Sequence, residues 1–417
     1  MGKELCEEDM NSPLTYMGKI RLSSWLFAVY LLFLPVSTAV SGFIVSTSII
    51  SILGILYVGV SVIEMIREDK FVIDRSIILI MIYFIYTILS SLWFTSFTFD
   101  WYFQQFCLTA AIVVCTVMRP VTEEKIWLYK TAIYLSIGVA VVASIFNIPE
   151  KGHRLVIYIT SYMDPNDFAC GLAILSSLFF ANILKKKQVV MNVALIGVVA
   201  FLIYCTGSRG GLLTLCVVAF VFILNIKGIE KQRILVILGG LIAAFLILAE
   251  SGIDPKILGR FSISNILKEG GAGRTLIWSA AIKAFLSSDP LHILFGYGHG
   301  SFGTAVRYVA IGHGDTYMSH NMFVNALIEG GVTGLALMIT GFVSLFWHTI
   351  KVKNPLGMMA LAGFLTEGIS LDAQVYRTFA IAIVLAFLVK SETVENVLYS
   401  SISVSDRRKD ECNLTTS

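Results

Sequence analysis

The feature that most constrains this chain is a series of long apolar stretches separated by short charged segments. Twelve occur, near 22–40, 43–65, 76–95, 102–118, 126–147, 167–184, 189–206, 211–226, 233–250, 321–348, 356–371 and 376–390. A helix needs about 20 apolar residues to cross roughly 30 Å of hydrocarbon. Backbone groups cannot stay unpaired in lipid, so these stretches are expected to be helices. Composition agrees: only 14% of the 417 residues are charged and 56% are hydrophobic, whereas a soluble domain carries about a quarter charged. The first stretch follows an acidic segment (Glu4, Glu7, Glu8, Asp9) and is long for a signal-peptide core, so it reads as an uncleaved first span.

Charge placement supplies an orientation. With both termini cytoplasmic, the inner segments hold 21 of the 31 Lys and Arg residues and the outer segments hold 10, and every inner loop carries at least two. The expected fold is therefore an all-α polytopic membrane protein of about twelve transmembrane helices. Its parts are a cytoplasmic tail (1–21), nine helices (22–250), a large extracytoplasmic loop with short helices (251–320), three more helices (321–390) and a polar, disordered cytoplasmic tail (391–417). Within the loop, Arg274 to Ser288 predicts an amphipathic helix with Leu276, Ala280, Ala284 and Phe285 on one face. Asp289-Pro290 is expected to stop it, and Gly296, Gly298, Gly300 and Gly303 to form a flexible turn.

Several motifs carry no chemistry. Gly298 to Gly303 matches G-x-G-x-x-G but lacks the βαβ unit a dinucleotide site needs. His292, His299, His313 and His320 have spacings that fit no metal-ligand pattern. The seven cysteines form no C-x-x-C pair. Neither a metal nor a cofactor is expected. The net charge of +3 points to no nucleic-acid partner.

Two features remain. Thr206-Gly207-Ser208-Arg209-Gly210-Gly211 places an Arg at a membrane boundary. It reads equally as an interfacial side chain reaching headgroups or as an anion clamp, in which glycines admit the ligand and the Arg fork binds phosphate oxygens. Ser319-His320-Asn321 opens the tenth span, ahead of Glu329-Gly330-Gly331-Val332-Thr333-Gly334. Here a His base near neutral pH stands beside a plainer reading, a polar helix start capped by Ser319 with glycines for close packing. Glu329 lies nine residues after His320, half a helical turn in projection, which opposes direct pairing on one straight helix. The charge count places Arg209, Arg274 and His320 at the same outer boundary.

These residues resemble the O-antigen ligase and polysaccharide-polymerase family. Its pattern of His-Asn, nine residues and Gly-x-x-Gly fits His320, Asn321, Gly331 and Gly334 without a gap. Thr206 to Gly211 is similar to the family's Ser-Arg-Gly segment, and Asp164 to Ala169 to its Asn-x-Phe-Ala stretch. Arg274 through Trp278, Gly296-Tyr297-Gly298, and Asp372 with Arg377 also match the family. The likeness covers roughly 150–390; the first five spans match only in hydrophobicity.

The resemblance implies an inverting, metal-independent glycosyl transfer outside the bacterial cytoplasmic membrane. The donor is a glycan on undecaprenyl pyrophosphate, and the acceptor is a glycan or lipid-linked. Arg209 and Arg274 would hold the pyrophosphate and His320 would take the proton of the attacking hydroxyl. Asn166, Ser208, Gly210, Asn321, Glu329, Asp372 and Arg377 are the candidate substrate-binding residues. Membrane lipids, a flippase and a chain-length regulator complete the expected partners. In the loop 251–320, six basic residues face four acidic ones. That small excess favours a polymerase over a ligase, whose lipid A core acceptor is phosphate-rich. A lipid-linked sugar transporter is the remote alternative; it calls for repeats and mid-span charges that the sequence does not show.

Overall fold

The computed structural model describes residues 20–40, 49–68, 74–93, 101–150, 153–226, 232, 257–265, 274–307, 318–371 and 377–388. The described chain is almost entirely helical. In order it forms α1 (Leu22–Leu32), α2 (Ile49–Glu68), α3 (Arg75–Ser90), α4 (Trp101–Val117), α5 (Glu123–Phe146), α6 (Pro165–Leu175), α7 (Ser177–Leu184), α8 (Val189–Thr206) and α9 (Arg209–Asn225). Three short helices follow, α10 (Arg274–Leu286), α11 (Pro290–Phe295) and α12 (Phe302–Arg307), and then α13 (Met322–Lys351), α14 (Pro355–Ser370) and α15 (Arg377–Phe387). The strands among the described residues are a two-residue antiparallel pair, β1 (Ile157–Tyr158) and β2 (Tyr162–Met163).

Six helical stretches among the described residues are long and apolar enough to cross a membrane, and four shorter apolar helices accompany them. The chain is thus a multi-pass membrane protein whose described residues are almost all helical or in connecting turns. Each predicted stretch contains helix except 233–250, which lies outside the described residues, as do both predicted tails save Ile20 and Arg21. Two stretches are less regular than their hydropathy implied. The first gives only α1 before a 3₁₀ turn at Leu34–Val36, because Pro35 cannot continue a helix. The sixth is broken at Ser176 into α6 and α7.

Local chemistry sets the helix starts. Asp74, Thr122, Asp164, Ser208, Asp289, Asn321 and Asn354 each accept a hydrogen bond from a backbone N–H in the first turn of the helix they open. Pro165, Pro290 and Pro355 follow three of these caps, where the missing N–H costs nothing. The helices then pack as a bundle: α13 lies along α3, α9 lies between α6 and α14, α14 lies on α15, and α1 lies on α2 and α5. Large apolar residues facing outward, such as Ile66, Val190 and Phe201, present the bundle to lipid.

The loop helix corrects the sequence reading in two places. The buried face of α10 is Ala280, Ala281 and Ala284, while Leu276 is 66% exposed. Phe285 packs beside that face, with Phe302, Val306 and Ile328 beneath it. Asp289-Pro290 does more than stop α10: Asp289 Oδ1 accepts from Leu291 N at 3.0 Å and His292 N at 3.2 Å, and so starts α11.

Candidate functional site at one end of the bundle

The first half of the site is a turn ringed by arginines. Residues Thr206 to Ser208 join α8 to α9, and three guanidinium groups converge on them. Arg154 Nε donates to Thr206 O at 2.6 Å, and Arg260 Nε donates to Gly207 O at 3.1 Å. Arg209 Nε donates to the main-chain oxygen of Arg260 at 2.5 Å, locking the loop segment onto the turn. Asn166 Oδ1 accepts from Ser208 Oγ at 2.9 Å and from Arg154 Nη2 at 3.3 Å, which ties in the start of α6. Ser208 Oγ also accepts from Gly211 N at 3.1 Å and caps α9.

All three arginines are half-buried. Burial, followed by the charge of Arg260, lowers the Arg154 guanidinium below its ordinary range; Asp164 and Tyr162 oppose this, and Arg209 adds to it. Three like charges crowded at the N-terminus of a 17-residue helix form a strongly positive locus. Sequence reading singled out Arg209 but missed Arg154 and Arg260. They lie 55 residues before and 51 after it, and no local motif marks them.

Gly210 and Gly211 play a different part from the one expected. A Cβ on Gly210 would stand 2.6 Å from Ser370 Oγ, and one on Gly211 would overlap Ala169. The room these glycines leave is filled by α14 and α6. They serve close helix packing, and the arginine side of the turn carries the polar groups.

The second half of the site surrounds His320. This residue has φ of 47°, a left-handed conformation uncommon for a residue with a Cβ. The cap of α13 is Asn321 rather than Ser319: its Oδ1 accepts from Phe323 N at 3.0 Å and Val324 N at 3.1 Å. Ser319 Oγ instead donates to Asn321 O at 2.8 Å and accepts from Asn321 N at 3.1 Å, bracing the residue between them. Trp278 of α10, one helical turn after Arg274, donates its Nε1 to Ser319 O at 2.9 Å. The His320 segment is thereby fixed to the helix that begins with Arg274.

The last turn of α14 joins the two halves. Ser370 receives Gly210, Ile369 O accepts from Asn321 Nδ2 at 3.3 Å, and Met322 fills the space over Gly368. Arg209, Arg274 and His320 therefore belong to helix ends gathered at one end of the bundle. Asn166 and Ser208 join them there.

Two other predicted residues, Glu329 and Arg377, have different surroundings. Glu329 is buried and pairs with His299, its Oε2 3.1 Å from Nδ1. Arg377 is buried among the helices, donating to Ser51 Oγ at 3.1 Å and Gln105 Oε1 at 3.4 Å. It borders a cavity of about 30 Å³ together with Asp167 and Glu367. Asp372 and His313 lie outside the described residues. Among the described residues, no group of three or more His, Cys, Asp or Glu side chains is placed to hold a metal.

Residues 193–339 match a family model described as O-Antigen ligase. The matched region includes Arg209, Arg260, Arg274 and His320, and ends within α13, past Gly334; Arg154 and Asn166 precede it. No curated protein matches the chain.

Proposed function

We propose, on the premise that the chain is O-antigen ligase-related through residues 193–339, that it is a membrane glycosyltransferase polymerising undecaprenyl-pyrophosphate-linked repeat units. The observation that supports this best is the gathering of the arginine turn and the strained His320 at one end of the bundle. In this reading the bundle has twelve spans and cytoplasmic termini in a bacterial inner membrane, and the site faces outward.

The chemistry needs few parts. Arg209 and Arg274, with Arg154 and Arg260 beside the first, hold the pyrophosphate by charge-assisted hydrogen bonds. The acceptor hydroxyl oxygen attacks the anomeric carbon from the face opposite the leaving group, and a new glycosidic bond forms with inversion. The bond from that carbon to the pyrophosphate oxygen breaks, and undecaprenyl pyrophosphate leaves with the electron pair. His320 takes the hydroxyl proton. Pyrophosphate is already a good leaving group, so positioning and charge stabilisation supply most of the acceleration.

Complementation of a deletion strain tests this. His320→Ala should lower glycan transfer about 10²–10⁴-fold with unchanged protein levels. Surface glycan reduced to single-repeat caps would establish a polymerase, and full-length chains left on the carrier would establish a ligase. Normal surface glycan in the variant would refute the mechanism.

A further inference from the structure

A second polar site lies at the opposite end of the bundle. The α5 helix separates the two regions: its C-cap, Asn147, accepts from Tyr158 N in the loop leading to Asn166, and its first turn holds Lys125. At 1.5 Å per residue its 24 residues span about 36 Å. Around Lys125 the ends of α1, α2, α4 and α5 meet. Arg21 pairs with Glu68 at 2.5 Å, and Arg119 Nη1 pairs with Glu64 at 2.5 Å and also bonds Ser23 Oγ.

Between these ends is a cavity of about 150 Å³. Its polar lining is Arg21, Ser24, Arg119, Thr122, Glu124 and Lys125, three cations against one carboxylate. Arg119 is 5% exposed and Lys125 is 7% exposed. Arg119 uses Nη1 on Glu64, yet among the described residues its buried Nη2 has no hydrogen-bond partner. Lys125 Nζ donates to Thr116 O at 3.3 Å and lies 5.8 Å from the Tyr129 ring centre. A buried guanidinium edge without an acceptor is costly. The Arg119 side chain lines a space large enough for a tetrahedral oxyanion, beside the positive end of a long helix.

We propose that this cavity binds a phosphate group carrying net negative charge, with Arg119 Nη2 and Lys125 Nζ as its principal donors and Arg21 at its rim. The chemistry fits the headgroup of an anionic phospholipid or a free phosphate. The helix-end position favours the lipid, because basic pockets between transmembrane helices hold anionic headgroups. This site lies far from Arg209 and His320, so it stands or falls independently of the glycosyl-transfer reading.

The test uses the full chain in detergent, with native mass spectrometry against phosphatidylglycerol, phosphatidylcholine and inorganic phosphate. The wild type should retain phosphatidylglycerol about tenfold more strongly than phosphatidylcholine. Lys125→Gln should erase that preference, corresponding to one lost charge-assisted bond. Arg21→Gln, at a side chain 39% exposed, should weaken retention several-fold and keeps the test sound if the buried variant fails to fold. Inorganic phosphate competing the lipid off would name the soluble anion as the occupant and uphold the site. Equal retention of the two lipids, together with no phosphate binding, would overturn the proposal. So would unchanged retention in folded Lys125→Gln and Arg21→Gln.

Discussion

The arginine turn and the glycine loop before His320 are both connections between helices, yet they are built on opposite principles. At the turn, long cationic side chains reach main-chain carbonyls and stay half-exposed. At the glycine loop, main chain meets main chain in a buried seam. Gly331 has φ of 64° and breaks the α13 ladder, which deprives nearby carbonyls of their helical partners. The loop supplies replacements: Tyr297 N donates to Ile328 O at 3.0 Å and Gly298 N to Glu329 O at 2.8 Å. From α3, Tyr86 OH donates to Gly330 O at 2.7 Å and to Phe295 O at 2.9 Å. The buried His299–Glu329 pair closes the seam, with His299 against Phe106 and its N–H on Ser90 Oγ. One connection displays charge that a ligand can answer. The other turns its main-chain groups onto the carbonyls freed by the kink and holds the helix that follows His320.

The strongest way to break this contrast is to add one methyl group to the seam. A Cβ on Gly331 would stand 2.5 Å from Gly296 N, and the backbone conformation there is strained for any residue with a side chain. Gly331→Ala should cost about 3 kcal/mol or more and give little folded protein, measured as a monodisperse fraction by size-exclusion chromatography. A variant that folds and melts like the wild type would show that the seam is not structural.

The turn should respond in the reverse way, losing function while the fold stays. Arg209→Lys keeps the charge but loses the planar fork, so transfer should fall about 10²-fold with little change in melting temperature. Arg154→Ala should cost about tenfold in transfer, because its charge remains seconded by Arg260. In vitro polymerisation with a carrier-linked donor separates the two. A large fall in melting temperature with Arg154→Ala would make the cluster a structural clasp like the seam.

The sequence made some of this legible and hid the rest for a physical reason. Hydropathy exposed the helices because lipid imposes their length and character. Arg209 and His320 were visible because each sits in a short pattern of unusual polarity. Arg154 and Arg260 were not, since they join Arg209 through carbonyls that any residue could provide. Glu329 was misleading in a related way. On a straight helix it opposes His320, but its partner is His299, delivered by a loop that docks only because Gly331 kinks α13. Likewise, the run of glycines predicted a flexible turn, whereas Gly296 and Gly298 take left-handed conformations in an anchored one. Pairings made through tertiary backbone contacts leave no spacing to read.

The smallest effect expected is at the entrance to the seam. Asp289 caps α11 and contacts His292 Nδ1, and the hydrogen bond with His292 holds its carboxyl below the usual range. A carboxyl depressed in the folded state adds stability above its unfolded pKa, 3.8 here, and loses it as the pH falls through the lower folded value. The side chain is exposed, so water and salt weaken the contribution. Amide exchange of Leu291 and His292, corrected for the intrinsic rate, should stay protected at about pH 4, where a free carboxyl is half titrated, and rise below it. Asp289→Asn should flatten that profile without altering glycan transfer at neutral pH. Protection already lost at pH 5 would mean that the cap is not what secures α11, and that Gly296 is positioned from the α13 side alone.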